Sequence, residues 1–157
     1  MTNDALEVFV PGTPIQQGSM KAFPIRRSNG SLGVSMVHNK GNLLTAWRER
    51  IRVALIEKYP EQLDGTQTDG GYFKQYVPVV LEVTFYLAKP KSNKLKEPSN
   101  KKADLDKLVR AVNDALSGLV FYDDSQVIEI TALKQWATDE HPEGVYITVY
   151  QIQSPGT

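Results

Sequence analysis

Two periods of hydrophobic recurrence divide the chain into elements. Leu6-Glu-Val-Phe-Val10 reads as a short strand closed by Pro11-Gly12. The pattern then lapses: Pro14, Gly18 and Pro24 interrupt a stretch carrying Lys21, Arg26 and Arg27, which reads as irregular. Ser28 to Ser31 reads as a turn and Leu32 to Val37 as a second short strand. From Asn42 to Tyr59 the period is helical, with Leu43, Leu44, Trp47, Ile51, Ala54 and Leu55 on one stripe and Asn42 as N-cap. The opposite stripe carries Arg48, Arg50, Arg52 and Lys58, a face that is either solvated or in contact with phosphate.

A polar loop, Glu61 to Gln75, precedes the clearest strand, Val77 to Ala88. There Val79, Leu81, Val83, Phe85 and Leu87 alternate onto one face, and Pro78 sits at the start, where a missing N–H is tolerated. Lys89 to Ala103 is a basic linker punctuated by Pro90 and Pro98. Asp104 to Ser117 is a second helix, with Leu105, Leu108, Val109, Val112 and Leu116 on its apolar face and Gly118 as its stop. Gln126 to Trp136 and Val145 to Ile152 read as two strands, joined through Ala137 to Gly144 as an antiparallel hairpin. Gln153 to Thr157 is a tail expected to fray. The expected architecture is α+β: one domain over residues 1–157, with a mixed sheet of about four to five strands and two main helices packed on it.

Composition narrows the class. A chain of 157 residues, 41% hydrophobic and 23% charged, suits one globular domain. With no cysteine there are no disulfides, thiolate zinc sites or cysteine nucleophiles. The first residues lack the basic and apolar regions of a signal peptide, and no apolar run approaches membrane-spanning length, so a cytoplasmic place is expected.

The net charge is zero, yet its distribution is uneven. Between Lys89 and Lys102 stand Lys89, Lys91, Lys94, Lys96, Lys101 and Lys102 against Glu97 alone, a local +5 that leaves −5 for the rest. Such a patch can neutralise several phosphates, or can be a solvated loop.

Directly after it comes Asp104-Leu-Asp106-Lys107, and beyond the helix Asp123-Asp124. Crowded carboxylates repel unless a cation intervenes, and hard divalent cations prefer such oxygen ligands. Positions i and i+2 diverge inside a helix, so Asp104 and Asp106 share an ion only if Asp104 precedes the first turn, where an N-cap also prefers aspartate. Asp106, Arg110 and Asp114 follow at four-residue intervals on a polar face, where Arg110 either bridges carboxylates or reaches a phosphate oxygen. If the chain reverses after Tyr122, Asp123-Asp124 returns alongside the helix start and completes the set; otherwise it is a polar turn. His38 and His141 read as surface residues, Trp47 and Trp136 as core.

The run Ala103-Asp-Leu-Asp-Lys-Leu-Val-Arg-Ala-Val-Asn-Asp-Ala-Leu-Ser-Gly118, followed by Tyr122-Asp-Asp-Ser-Gln-Val127, resembles the signature of the RusA family of Holliday junction resolvases. Val10-Pro-Gly-Thr-Pro14 resembles the family's opening strand and loop. The resemblance implies a Mg²⁺-dependent endonuclease, with Mn²⁺ as a possible substitute, that acts on branched DNA, chiefly four-way junctions, as a homodimer. It places Asp104, Asp106 and Asp124 on the family's catalytic, metal-holding carboxylates, with Asp123 as a support or alternative ligand. The family usually has asparagine at the position of Lys107 and often lysine at that of Arg110. Arginine keeps the charge but is no ready proton donor, so electrostatic stabilisation is the role expected of Arg110. Lys21, Arg26, Arg27, Lys107 and the lysines of the 89–102 run are the expected DNA contacts. Three rivals remain: a metal nuclease for flaps or single strands, a branched-DNA-binding module that does not cleave, and a purely structural set of caps and turns.

Overall fold

The computed structural model describes residues 5–18, 20–26, 32–38, 41–63, 70–100 and 103–152, with 20–26 and 32–38 described as backbone. In chain order the elements are β1 (Leu6–Pro11), β2 (Met20–Arg26), β3 (Leu32–His38), α1 (Gly41–Lys58), β4 (Val79–Leu87), α2 (Leu105–Leu116), a 3-10 turn (Asp124–Gln126), β5 (Val127–Trp136) and β6 (Gly144–Gln151). A four-stranded mixed sheet has the order β1-β6-β4-β5, and β2 and β3 form a separate two-stranded sheet. The expected α+β architecture of two helices on a mixed sheet is what the chain forms.

Alternation and helical period meet in one core. Leu6, Val8 and Val10, then Leu81, Val83, Phe85 and Leu87, then Val145, Ile147 and Val149 are buried on one sheet face. Against them lie Leu44, Trp47, Ile51 and Leu55 of α1 and Leu108, Ala111, Val112, Ala115 and Leu116 of α2. Each large side chain so buried contributes about 1.5–3 kcal/mol. Trp47 and Trp136 are core residues, as their positions imply.

Two expectations need correction. The stretch around Pro24 is not irregular: β2 pairs antiparallel with β3 from Met20↔His38 to Arg26↔Leu32, with Pro24 opposite Val34. In a two-stranded sheet both strands are edges, and an edge tolerates proline. Nor do the last two strands form a hairpin. β4 lies between them, paired parallel with β5 and antiparallel with β6. The β4–α2–β5 segment is therefore a crossover unit, with a helix carrying the chain back so that two strands can run parallel. The turn expected at Ser28 to Ser31, Arg27, Lys101, Lys102 and the tail Gln153 to Thr157 lie outside the described residues.

Candidate active site

The crossover decides where each carboxylate goes. α2 begins at Leu105 with Asp104 as its N-cap residue in extended backbone (φ −70°, ψ 127°), which puts Asp104 outside the first turn and Asp106 within it. Asp104 does not use its carboxylate as a cap. Its Oδ2 stands 3.1 Å from the Lys107 ammonium, and its side chain remains 59% exposed. An exposed pair of this kind is worth little and leaves the carboxylate open to a stronger cation. Asp106 is exposed and, among the described residues, has no hydrogen bond or ion pair.

The backbone at this point is clamped. Gln16 Oε1 accepts the Asp104 N–H at 2.7 Å, and the Gln17 N–H donates to the Lys107 carbonyl at 3.1 Å. Lys134 of β5 donates from Nζ to the Ala103 carbonyl at 3.0 Å. The loop after β1 and the far part of β5 thus fix the helix start. Sequence reasoning assigned these three residues no role, because each acts across a long chain separation.

Asp123 and Asp124 are held at the start of β5. Asp123 caps the 3-10 turn, accepting the Ser125 N–H at 3.0 Å, while its own N–H donates to Gln126 Oε1 at 3.0 Å. The Ser125 side chain, and then its backbone N–H, hold the Asp123 carboxyl below the usual carboxylate value. Gln126 is buried and donates from Nε2 to the carbonyls of Lys74 (2.8 Å) and Val77 (3.1 Å), which bolts the turn to the neighbouring segment. Asp123 is committed to the turn. Asp124 is exposed, and its side chain has no partner among the described residues.

The expectation that Asp124 returns to the helix start is not met within one chain. Ala103 lies beside Lys134, late in β5, whereas Asp124 directly precedes Val127, where β5 begins. α2 runs back along β5, and its 12 residues span about 18 Å. The two acidic groups therefore occupy opposite ends of α2. Among the described residues no three carboxylate or imidazole groups gather into a metal-holding set.

Around these groups the cations sort into two kinds. Arg110 is exposed one turn after Asp106 and makes no ion pair among the described residues. It does not bridge Asp106 and Asp114, because Asp114 pairs with Arg48 at 3.4 Å. The basic stripe of α1 is half-buried at Arg48 and Arg52 and exposed at Arg50 and Lys58, and each of the four holds an acceptor of the chain itself. Arg52 donates to the Ala115 and Ser117 carbonyls at the end of α2 (2.9 and 3.3 Å), Arg50 to the Pro11 carbonyl (3.1 Å), and Lys58 to that of Glu7 (2.7 Å).

Lys89, Lys91, Lys94 and Lys96, by contrast, are exposed on a loop with its own framework. Trp136 Nε1–H donates to the Leu95 carbonyl at 3.0 Å, Asn93 bonds Asn100 at 2.9 Å, and Pro98 is buried. Lys21 and Arg26 fall on β2, described as backbone only. Among the described residues no helix is long and apolar enough to cross a membrane.

A parallel crossover whose helix starts on exposed carboxylates, beside a framed lysine loop, has the makings of a phosphodiester-cleaving enzyme, and comparison with known proteins agrees. The family model described as endodeoxyribonuclease RusA matches residues 35–150, nearly three quarters of the sequence. The chain belongs to the RusA endodeoxyribonuclease family, whose members act on branched DNA such as Holliday junctions. It is also similar to the uncharacterized protein YqaN of Bacillus subtilis (strain 168), 34% identical over 98 residues that cover 46% of this chain and 69% of the relative.

Proposed function

We propose that this chain is a Mg²⁺-dependent endodeoxyribonuclease, with Mn²⁺ as a working substitute, that resolves four-way junctions by paired nicks as a homodimer, each active site being completed by the second copy. The observation that carries this reading is the placement of exposed carboxylates at opposite ends of α2. Asp104 and Asp106 stand at one end and Asp124 at the other, too far apart to share an ion within one chain.

A two-fold axis at the outer edge of β5, perpendicular to the strand, resolves the separation. β5 is an edge strand of 10 residues, about 30 Å long, with Ile128, Ile130 and Leu133 exposed at 61%, 46% and 49%. Antiparallel pairing of two such edges sets the start of one β5 against the end of the other. Asp124 of each copy is thereby carried toward the Asp104–Asp106 turn of its partner. A closed two-fold dimer also matches the symmetry of a four-way junction.

The donor set is entirely carboxylate oxygen, the chemistry that Mg²⁺ accepts. Asp104, Asp106 and the partner copy's Asp124 would hold the metal, with Asp123 supporting the Asp124 turn. Bound there, the ion would supply an activated water and neutralise charge on the scissile phosphate. Arg110, one helical turn from Asp106, stabilises the charge that develops on the phosphate oxygens. Lys107 offsets the charge of Asp104 and, with a metal bound there, would be available to a DNA phosphate. Lys89, Lys91, Lys94 and Lys96, continued in sequence by Lys101 and Lys102, together with Lys21, Arg26 and Arg27, grip backbone phosphates without reading sequence. Such chemistry belongs to recombination and repair in a bacterial cytoplasm, in a host or phage context.

The test is cleavage of a synthetic four-way junction, a flap and a linear duplex, with and without Mg²⁺, beside Asp106→Asn. Symmetric nicking of the junction that needs Mg²⁺ and disappears in the variant while binding persists supports the reading. Equal cutting of linear duplex removes the branch selectivity, and undiminished cutting by the variant removes the site.

A further inference from the structure

The helix-free face of the sheet carries a concavity that the nuclease chemistry does not use. Phe9 of β1 stands directly opposite Tyr146 of β6, and Tyr86 of β4 lies diagonally beyond it. Glu140, His141 and Pro142, from the loop between β5 and β6, complete the walls of a pocket of about 420 Å³. Backbone bonds hold that loop in place. The Ala137 N–H donates to the Leu87 carbonyl at 2.8 Å, the Thr138 N–H to the His141 carbonyl at 2.8 Å, and the His141 N–H to Thr138 Oγ1 at 3.0 Å. At Gly144 (φ +156°) a Cβ would collide with the Val10 carbonyl and stand 2.7 Å from the Phe9 ring, so glycine there makes room for the pocket wall.

The chemistry of the walls selects the occupant. The His141 ring lies flat on Tyr86, with ring centres 5.0 Å apart and planes within 9°, so that pair of parallel faces is already closed. Phe9 is tilted 60° to Tyr86 at 6.5 Å. A nucleotide brings a phosphate that neighbouring carboxylates repel, whereas aromatic faces attract a compact cation. Two carboxylates accompany the rings. Glu140 is in the wall, and Glu7 is held beside the pocket by the Tyr146 hydroxyl, which donates to it at 2.8 Å. Among the described residues no lysine or arginine lines the pocket.

We propose that the pocket formed by Phe9, Tyr86, Glu140, His141 and Tyr146 is a docking site for a cationic side chain, lysine or arginine, presented by a partner protein. The tilted rings hold the alkyl stem and the charged head, Glu140 sits at the lip, and the Tyr146–Glu7 pair supplies the second negative charge. The site lies on the sheet face opposite α2, so a partner seated in it need not cover Asp104 or Asp106.

The test uses the full chain. Short peptides with a central lysine or arginine, the same lysine peptide acetylated on its side chain, and deoxycytidine monophosphate are titrated in separately while the His141 and tyrosine ring resonances are followed. The expected result is a saturable shift confined to the pocket with the cationic peptides. Binding should be about tenfold weaker for the acetylated peptide and for Tyr86→Ala or Glu140→Gln, while junction cleavage by both variants is unchanged. Glu140 is exposed, so its variant reports on the pocket even where Tyr86→Ala loses the fold. The proposal is overturned by equal binding of the acetylated peptide, by shifts produced by the nucleotide and not by the peptides, or by no saturable shift with either cationic peptide. A chain that binds the peptides but fails to cut junctions would sink the nuclease reading and leave the docking site standing.

Discussion

At its start, α2 presents Asp104 and Asp106 on a backbone clamped by Gln16, Gln17 and Lys134; beyond its far end, Asp123 and Asp124 sit on a turn bolted by Gln126. Both regions immobilise the main chain through partners distant in sequence, and both leave a carboxylate exposed without a partner among the described residues, Asp106 at one end and Asp124 at the other. They differ in what surrounds that carboxylate. The start adds cations, Lys107 on Asp104 and Arg110 one turn on, and suits the approach of a polyanion. The far end adds an apolar strand edge, Ile128 and Ile130, and suits the approach of another protein surface. In the proposed reading, one end receives DNA and the other delivers a ligand to a partner copy.

The largest expected effect is at the start. Asp106→Asn should lower junction cleavage about 10³-fold or more, with junction affinity within about threefold of the parent, in single-turnover cleavage and gel-shift measurements. Next, Arg110→Ala should slow cleavage about 10²-fold, and Arg110→Lys should restore much of the loss if charge alone matters. At the far end, Gln126→Leu takes their Gln126 partner from the Asp123 N–H and the Val77 carbonyl, leaves the Lys74 carbonyl with the Val77 N–H alone, and should destabilise the fold by about 1–3 kcal/mol in urea unfolding. Substituting its counterpart, Gln16→Leu, should cost about 1 kcal/mol or less, because the orphaned Asp104 N–H lies near the surface; slower cleavage at nearly unchanged stability would show that the clamp serves the site.

The smallest effect concerns acid. The Asp123 carboxyl has a folded value lowered from 3.8, so its contribution to the turn is complete above that value and is lost as the pH falls through the lower folded value. Asp123→Asn should remove this acid dependence, as read by amide exchange at Ser125.

Much of this was legible in the sequence. The helix at Asp104, its N-cap residue and most of the buried stripes follow from local period and capping chemistry and stand where expected; Leu43, expected on the apolar stripe of α1, is exposed, and Asn42, expected as its N-cap, lies within the helix, which begins at Gly41. The pairing of strands was not legible, because alternation says which residues face the core and nothing about the neighbouring strand. The sequence order of β5 and β6 suggested a hairpin, and only the crossover of α2 over parallel strands excludes it. That same crossover separates Asp124 from Asp104, so the error in topology and the error in site geometry have one cause. Pro24 concealed β2 because proline is a poor strand signal except at an edge. Arg48, Arg50 and Arg52 read as an open basic face because their acceptors, Asp114, the end of α2 and Pro11, are brought to them only by packing.

The central claim, that each site joins the start of one α2 to the Asp124 of another copy, is tested most directly by mixing two inactive variants. Asp106→Asn and Asp124→Asn are each assayed alone, then mixed, exchanged through denaturation and refolding, and assayed on a four-way junction with Mg²⁺. If the sites are shared, every mixed dimer has one site with both substitutions and one with neither. Nicking should then return to about one quarter of the parent active-site content, as single-strand nicks. If each site lies within one chain, every site in the mixture carries one substitution, and the mixture stays as inactive as its parts, which would contradict the account.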